Sequence, residues 1–348
     1  MLRRLKKTRM SKLWQNSLSK AEKIALSQRI ADATGMDERA VEKDWWVVVV
    51  LKALSMTQYA HLMSFKGGTS LSKGWNLIGR FSEDIDIAIR REERFAISGT
   101  TSNQLAKARR KSRHYIVREL PDELTAIISG MGIVDFSIEP ELTRGRDGKQ
   151  VELRADTHPS TIYLNYKSIF PTQSPYISPK VKIEFSSLSM DEPVEEKTIR
   201  SYYSEYDPEC DEVYVQFKTV VPTRTFLEKM FLLHEEFQKK RPRSLRMSRH
   251  LYDLERLMDT DYGKEALSNK NLYDEVVKHR ATYNHINGID YALHSPDKIN
   301  FIPPQSVIDS WKSDYNSLSE AHIYDKNNIL FEQLIARIDE LLKRVRNM

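Results

Sequence analysis

A glycine pair followed, one helix-length later, by a carboxylate pair constrains this chain more than any other feature in it. The first segment is Phe65-Lys66-Gly67-Gly68-Thr69-Ser70 and the second is Ser82-Glu83-Asp84-Ile85-Asp86-Ile87. His61–Lys66 is short and mostly apolar and stops at the glycines, which predicts a strand entering a tight turn. Without a Cβ, the glycines let backbone N–H groups approach a ligand closely. Thr69 and Ser70 are good helix N-terminal residues, so a short helix is expected over 69–77. Its free N–H groups and positive dipole end suit phosphates, although the turn alone reads equally as a turn and cap.

Asp84-Ile85-Asp86-Ile87-Ala88-Ile89 alternates carboxylate and isoleucine and then stays apolar, which predicts a strand. Side chains two apart share a face, so Asp84 and Asp86 project together while the isoleucines face the core. Two like charges on one face call for a cation between them, and Mg²⁺ (or Mn²⁺) with oxygen ligands and substrate phosphates fits. The bland alternative is a solvent-facing acidic edge. Ser82 shares the face of Asp84 and reads either as a contact to the metal or the γ-phosphate or as a strand-entry residue.

At this point the chain resembles the polymerase-beta-type nucleotidyltransferases. More narrowly, Lys66–Leu71 with Arg80–Asp86 resembles the AbiEii/AbiGii toxin family, which includes the MenT toxins. Val41-Glu42-Lys43-Asp44-Trp45-Trp46 upstream, and Glu228-Lys229 and Arg249-His250-Leu251-Tyr252-Asp253-Leu254 downstream, resemble further motifs of that family in the same order. His250 departs from it, since the family commonly has Asp there, which leaves Asp253 to fill the acidic role. The resemblance implies an α+β fold, with a nucleotidyltransferase palm of mixed sheet and helices and a C-terminal helical bundle. It also implies transfer of a nucleoside monophosphate from an NTP to an acceptor hydroxyl, RNA and in particular a tRNA 3′ end. The protein would act as the toxin of a type IV toxin–antitoxin or phage-defence system, with a cognate antitoxin as partner.

A palm of this type takes a third carboxylate from a later strand. In Val181-Lys182-Ile183-Glu184-Phe185 the alternation puts Glu184 opposite the apolar face, making it the candidate, as metal ligand or base, with Asp156 as runner-up. An exposed acid paired with Lys182 is the competing reading. Lys229 stands in an apolar helix, Phe226–Leu233, where its charge needs a partner, and a triphosphate across the cleft supplies one. Asp253 either hydrogen-bonds the nucleotide, orients Lys229, or forms an i,i+4 pair with Arg249. The expected site is therefore catalytic Asp84, Asp86, Lys229 and Asp253, with nucleotide binding by Gly67, Gly68, Thr69, Ser70, Ser82 and Lys229. The metal would be held by Asp84, Asp86 and Glu184.

With 348 residues there is room for two domains, and 30% charged against 40% hydrophobic residues marks an ordinary folded chain. The longest apolar run, Trp45–Leu51, is too short to span a bilayer, and no apolar segment follows the basic N-terminus to make a secretory signal. The single cysteine, Cys210, excludes internal disulfides and thiolate zinc sites, so a cytoplasmic protein is expected. The net charge is +5, gathered in three basic clusters at Arg3–Lys12, Lys107–Arg118 and Lys239–Arg249. Lys107, Arg110, Lys111, His114 and Arg118 would share one helix face, which suits a phosphate backbone or a solvated surface alike. Trp45, Trp46 and Trp75 read as core.

The expected organisation is N-terminal helices over 1–57, the palm over 58–190 and the helical domain over 213–348, with a linker or loop near 190–212. Helices are expected at 11–34, 39–56, 102–129, 222–240, 244–259, 271–284 and 326–346, and strands at 61–66, 82–90, 131–139, 150–156, 161–169 and 180–187. Two readings compete with RNA modification: nucleotidyl transfer to a protein or small molecule, and a catalytically idle module that binds RNA or a partner.

Overall fold

The Trp45–Leu51 run of helix α3 is apolar on every side, and the rest of the N-terminal half is built around it. The computed structural model describes residues 14–146, 149–171, 177–190, 192–207, 213–284 and 286–348. The Arg3–Lys12 cluster and Cys210 lie outside the described residues. In chain order come α1 (Trp14–Ser17), α2 (Lys20–Thr34), α3 (Glu38–Leu54), β1 (Met63–Lys66), α4 (Gly67–Lys73) and β2 (Ile85–Ile89). They are followed by α5 (Ser102–Arg118), α6 (Leu120–Gly130), β3 (Phe136–Pro140), β4 (Thr143–Arg146), β5 (Lys149–Glu152), β6 (Ser160–Tyr166) and β7 (Lys180–Ser186). Then come β8 (Val194–Arg200), α7 (Tyr202–Tyr206), β9 (Tyr214–Val220), α8 (Pro222–Phe237) and α9 (Ser248–Leu257). The last are α10 (Asp261–Ser268), α11 (Lys270–His279), α12 (Ile308–His322) and α13 (Phe331–Arg346).

Seven strands form one mixed sheet in the order β3-β6-β7-β2-β1-β9-β8, and β4 with β5 makes a separate hairpin. Asp37 caps α3 by accepting from the Arg39 N–H, and from Ala40 to Leu51 every residue of the helix is buried. A helix apolar all round must lie inside, and Trp45, Trp46 and the four valines pack with Phe65, Ile87 and Ile183 of the sheet in one core. A second core joins α8, α9, α12 and α13 through residues such as Phe226, Met230, Leu254, Trp311 and Ile338.

Three expectations are corrected. The single helix over 102–129 is two helices, α5 and α6, broken at Glu119. Pro121 explains the break: it lacks an N–H to continue the ladder and disfavours a helical conformation in Leu120 before it. The stretch expected as a linker near 190–212 contains β8 and α7, and β8 pairs along its whole length with β9. β8 reads VEEKTIR because it is an edge strand, where charge blunts unwanted pairing and hides the hydrophobic alternation. Finally, α10 and α12 were not expected. α12 buries little beyond Trp311 and Tyr315, four residues apart on a Ser-rich helix, which leaves a faint pattern.

Candidate active site

Lys66, Asp86 and Glu184 stand side by side across three neighbouring strands. β1 pairs antiparallel with β2, placing Lys66 opposite Asp86, and β2 pairs parallel with β7, placing Asp86 opposite Glu184. On β7, Val181, Ile183 and Phe185 are buried and Lys182 and Glu184 face away from the core, as the alternation predicts. The same alternation on β2 buries Ile85 and Ile87 and leaves Asp86 on the open face. Asp84 precedes the strand, and its carboxylate lies 3.9 Å from the Arg249 guanidinium.

The glycine turn is packed directly on these acids. Gly67 has φ +80°, and a Cβ there would sit 2.1 Å from Asp86 Oδ2. A Cβ on Gly68 would meet Arg80 Nη2 at 2.6 Å and Ser82 Oγ at 2.9 Å. Helix α4 starts at Gly67 itself, earlier than expected. The hydroxyls of Thr69 and Ser70 are buried and engaged: Thr69 Oγ1 donates to the Asp84 carbonyl and lies 2.9 Å from the Ser82 hydroxyl, from which it can accept, and Ser70 Oγ donates to the Gly67 carbonyl at 2.9 Å. They tie the turn to the acidic strand, leaving main-chain N–H groups as what they can offer a phosphate. Gly67→Ala combines a clash with a left-handed backbone, and we expect at least about a hundredfold loss of transfer activity with the protein still folded. Steady-state rates of the purified variant check it.

Asp86 is pushed up to about 6, mainly by burial, with the neighbouring Glu184 and Asp84 charges adding to the effect and Lys66 opposing it. A carboxylate held this way gains from a cation beside it. Among the described residues no three His, Cys, Asp or Glu groups are gathered as a metal cluster. Glu184 is instead ion-paired to Lys182 at 3.0 Å. The donor set thus fits a hard cation held by two carboxylates and completed by substrate oxygens, the manner typical of Mg²⁺. Because the folded state binds this proton more tightly than the unfolded chain does, wild-type stability falls as pH rises from about 4 through about 6. Asp86→Asn should therefore stabilise the metal-free protein at pH 7.5 by on the order of 2 kcal/mol, and the advantage should vanish below about pH 4. Melting curves against pH in chelator test this, and parallel curves for the two proteins would contradict it.

Across the cavity, three residues far apart in sequence meet. Lys229 Nζ on α8 lies 2.8 Å from Asp253 Oδ2 on α9. Arg80, from the loop before β2, grips the same carboxylate in two bonds, Nε to Oδ1 at 2.7 Å and Nη2 to Oδ2 at 2.8 Å. Asp253 is fully buried. Burial works against its charge, but Arg80 and Lys229 overcome this and hold the carboxyl well below its usual range. Lys229 is itself lowered by burial, against the pull of Asp253. Of the three readings for Asp253, the geometry matches the one in which it orients Lys229. The partner Lys229 needs is in the protein, and a phosphate is not required to supply it. Two cations on one anion still leave one positive charge facing the cavity. Arg249 turns away from Asp253 toward Asp84. His250 lines the same wall; burial of its ring, then the Lys229 and Arg249 charges, hold the imidazole neutral, well below its usual range.

The cavity measures about 350 Å³ and brings Gly67, Gly68, Ser82, Asp84, Asp86 and Glu184 together with Lys229, Arg243, Arg249 and His250. That volume falls within the range of small-ligand sites. Asp156 is not part of it; it pairs with Arg154 on the surface at 3.1 Å. Trp75 donates to the Val220 carbonyl at 3.1 Å and is covered by Lys197, a structural placement.

Sequence reading gave no role to Arg80, nor to the Glu42-Lys43-Asp44 triplet. Lys43 pairs with Glu83 at 2.5 Å, bracing the loop that carries Asp84. Asp44 pairs with Lys73 at 3.0 Å, bracing α4, and accepts from the Tyr202 N–H at 2.9 Å. Glu42 accepts from Ser168 and from the Ile169 N–H. The signal was present: three charges next to WWVVVVL in one helix must be paired, because buried charges otherwise cost several kcal/mol.

The sequence profile described as "Nucleotidyl transferase AbiEii toxin, Type IV TA system" matches residues 49–344. The chain belongs to this AbiEii family of toxins. It is accordingly a nucleotidyltransferase, of a family that generally uses an NTP with a divalent metal ion. Among solved structures it is similar to MenT4, a nucleotidyltransferase toxin from Mycobacterium tuberculosis, at 15% identity and a TM-score of 0.53, over 95% of this chain and 90% of that one. JHP933 from Helicobacter pylori aligns at 16% identity with a TM-score of 0.41, over 90% of this chain and 94% of that one. At such identity the MenT4 likeness speaks for the fold, and the fold agrees with the α+β architecture expected from the sequence. No curated protein sequence gave a significant match. The described residues contain no helix long and apolar enough to cross a membrane.

Proposed function

We propose that this AbiEii-family protein transfers a nucleoside monophosphate from an NTP to a hydroxyl of RNA, with Mg²⁺ or Mn²⁺, and that a tRNA 3′ end is its acceptor. One observation carries the reading: the Gly67-Gly68 turn and the Asp84/Asp86 pair line a single cavity together with Lys229, Arg80 and Arg249. A turn that admits phosphates, a carboxylate pair that wants a cation and a surplus of positive charge opposite are what a triphosphate needs.

Asp84 and Asp86 would hold the ion, which when bound supplies a Lewis acid for the phosphate oxygens. Gly67 and Gly68 offer N–H groups at close range because no Cβ intervenes. Lys229, fixed by Asp253, and Arg249 offset the triphosphate charge as pyrophosphate departs. The acceptor oxygen attacks the α-phosphorus in line with the leaving pyrophosphate. Glu184, beside Asp86 and partly exposed, takes the acceptor proton.

An RNA acceptor is supported by the surface of α5. Lys107, Arg110, Lys111, His114 and Arg118 are all exposed on it, while Leu105, Ala108, Tyr115 and Ile116 turn inward. Such a strip attracts a phosphate backbone whatever its sequence. Arg243, Arg246 and Arg249 of the third basic cluster lie at or beside the cavity itself. The test is incubation of purified protein with each α-labelled NTP and total RNA. Label is expected on small RNA and only with divalent metal present. Label on protein would replace the acceptor proposed here, and no label on any macromolecule would defeat the reading.

A further inference from the structure

A second cavity, of about 260 Å³, lies behind the Arg80–Glu83 loop and is closed on its far side by α12. It shares Arg80, Ser82 and Arg249 with the first cavity, so the two meet at those residues. Its lining has a different chemistry. Gly67, Gly68, Asp84, Asp86 and Lys229, the groups suited to phosphate and metal, line the first cavity and not the second. Here the walls are Phe81, Leu318, Ala321 and the ring of His322, with Arg246 and Arg249 beside them. The Phe81 and His322 rings lie 6.4 Å apart and within 25° of parallel, joined by the Phe81 N–H to His322 carbonyl bond of 2.7 Å.

The mouth is held in an unusual conformation. Arg246 has φ +58°, rare for a residue with a side chain, and such strain persists only where the surroundings impose it. Asp314 on α12 imposes it by accepting from the Arg246 N–H at 2.5 Å and from the Ser248 N–H at 2.9 Å. The Arg246 guanidinium then reaches Glu83 at 3.3 Å, and Leu245 is left 81% exposed at the edge. The Phe81 and His322 rings and the adjacent guanidinium groups are the kinds of contact that receive unstacked bases.

We propose that this cavity binds one nucleoside unit, its base against Phe81 and its phosphate side toward Arg246 and Arg249. The inference rests on the transfer reaction proposed above, in which two nucleoside units take part: that of the incoming NTP and that of the acceptor end. Either presents the same chemistry to the cavity, and kinetics separate them. Ala321→Trp on the partly exposed face of α12 would fill the cavity, and Arg246→Ala would remove a charge from its mouth. Each purified variant would be assayed with labelled NTP and RNA beside wild type, with its fold checked by circular dichroism.

Both variants should raise one KM by about tenfold or more and leave the other KM and kcat within about threefold. A raised KM for RNA assigns the cavity to the acceptor end; a raised KM for the NTP assigns it to the incoming base. Wild-type transfer with both KM values unchanged in the folded variants would overturn the subsite and leave the parent reaction standing. If wild type transfers no label, the parent reading fails. The cavity is then judged by calorimetric titration with the four nucleoside monophosphates, where equal binding to wild type and Ala321→Trp overturns it.

Discussion

Replacing Asp84 by asparagine is expected to lower nucleotidyl transfer by about a thousandfold or more, with the melting temperature almost unchanged. The amide keeps the shape of the side chain but removes the charge and one of the two oxygens a cation would use. A thousandfold corresponds to about 4 kcal/mol of transition-state stabilisation, an ordinary size for the loss of a charged group at a phosphoryl-transfer site. Stability should barely respond, because Asp84 is partly exposed and its nearest cation, Arg249, is 3.9 Å away. Such a distant pair contributes little. The measurement is kcat/KM beside a thermal denaturation curve. A folded Asp84→Asn protein that keeps a tenth of its activity would remove the carboxylate pair from the chemistry.

Asp253→Ala should have the opposite profile, with stability failing first. The substitution leaves Arg80 and Lys229 buried together with no counter-charge, a situation that costs about 3–5 kcal/mol. The melting temperature should fall by on the order of 10 °C. Asp253→Asn, which keeps the volume and one acceptor, should lose less. The pH dependence has a definite sign. The folded-state carboxyl is held below its usual range, so its contribution is complete above about pH 4 and is lost only as pH falls well below that. Denaturation of wild type and Asp253→Asn between pH 3 and pH 8 should show the gap between them closing on the acid side alone. A constant gap would contradict the ion-pair account.

The two halves of the site differed in how visible they were. Asp86 and Glu184 could be read because each lies on a strand whose alternate residues must be apolar to face the core, so a carboxylate there has a known direction, and Asp84 stands immediately before β2. The glycine turn could be read because φ +80° and contact with Asp86 both exclude a side chain. Asp253 and Lys229 were found through the order of the family motifs, but what they do was hidden. Arg80 is 173 positions from Asp253, and nothing local announces that the two must meet. Edge strand β8 was hidden for the converse reason, since its exposure frees the sequence from any alternation. The helix break at Pro121 was missed although its signal was present, as proline blocks the ladder inside a helix.

The row formed by Lys66, Asp86 and Glu184 carries a consequence for how this protein becomes active. The three side chains come from separated segments and share a face only because of the pairing of β1, β2 and β7. Sliding β2 by one residue would turn Ile85 and Ile87 outward and bury both aspartates. Glu184, on β7, would then be left without its neighbours. During synthesis, the acidic row is complete only once β7 docks at residues 180–186, and the site only once α8 and α9 bring Lys229 and Asp253 to it. For a toxin, the onset of activity is thereby set by the helices that follow the sheet.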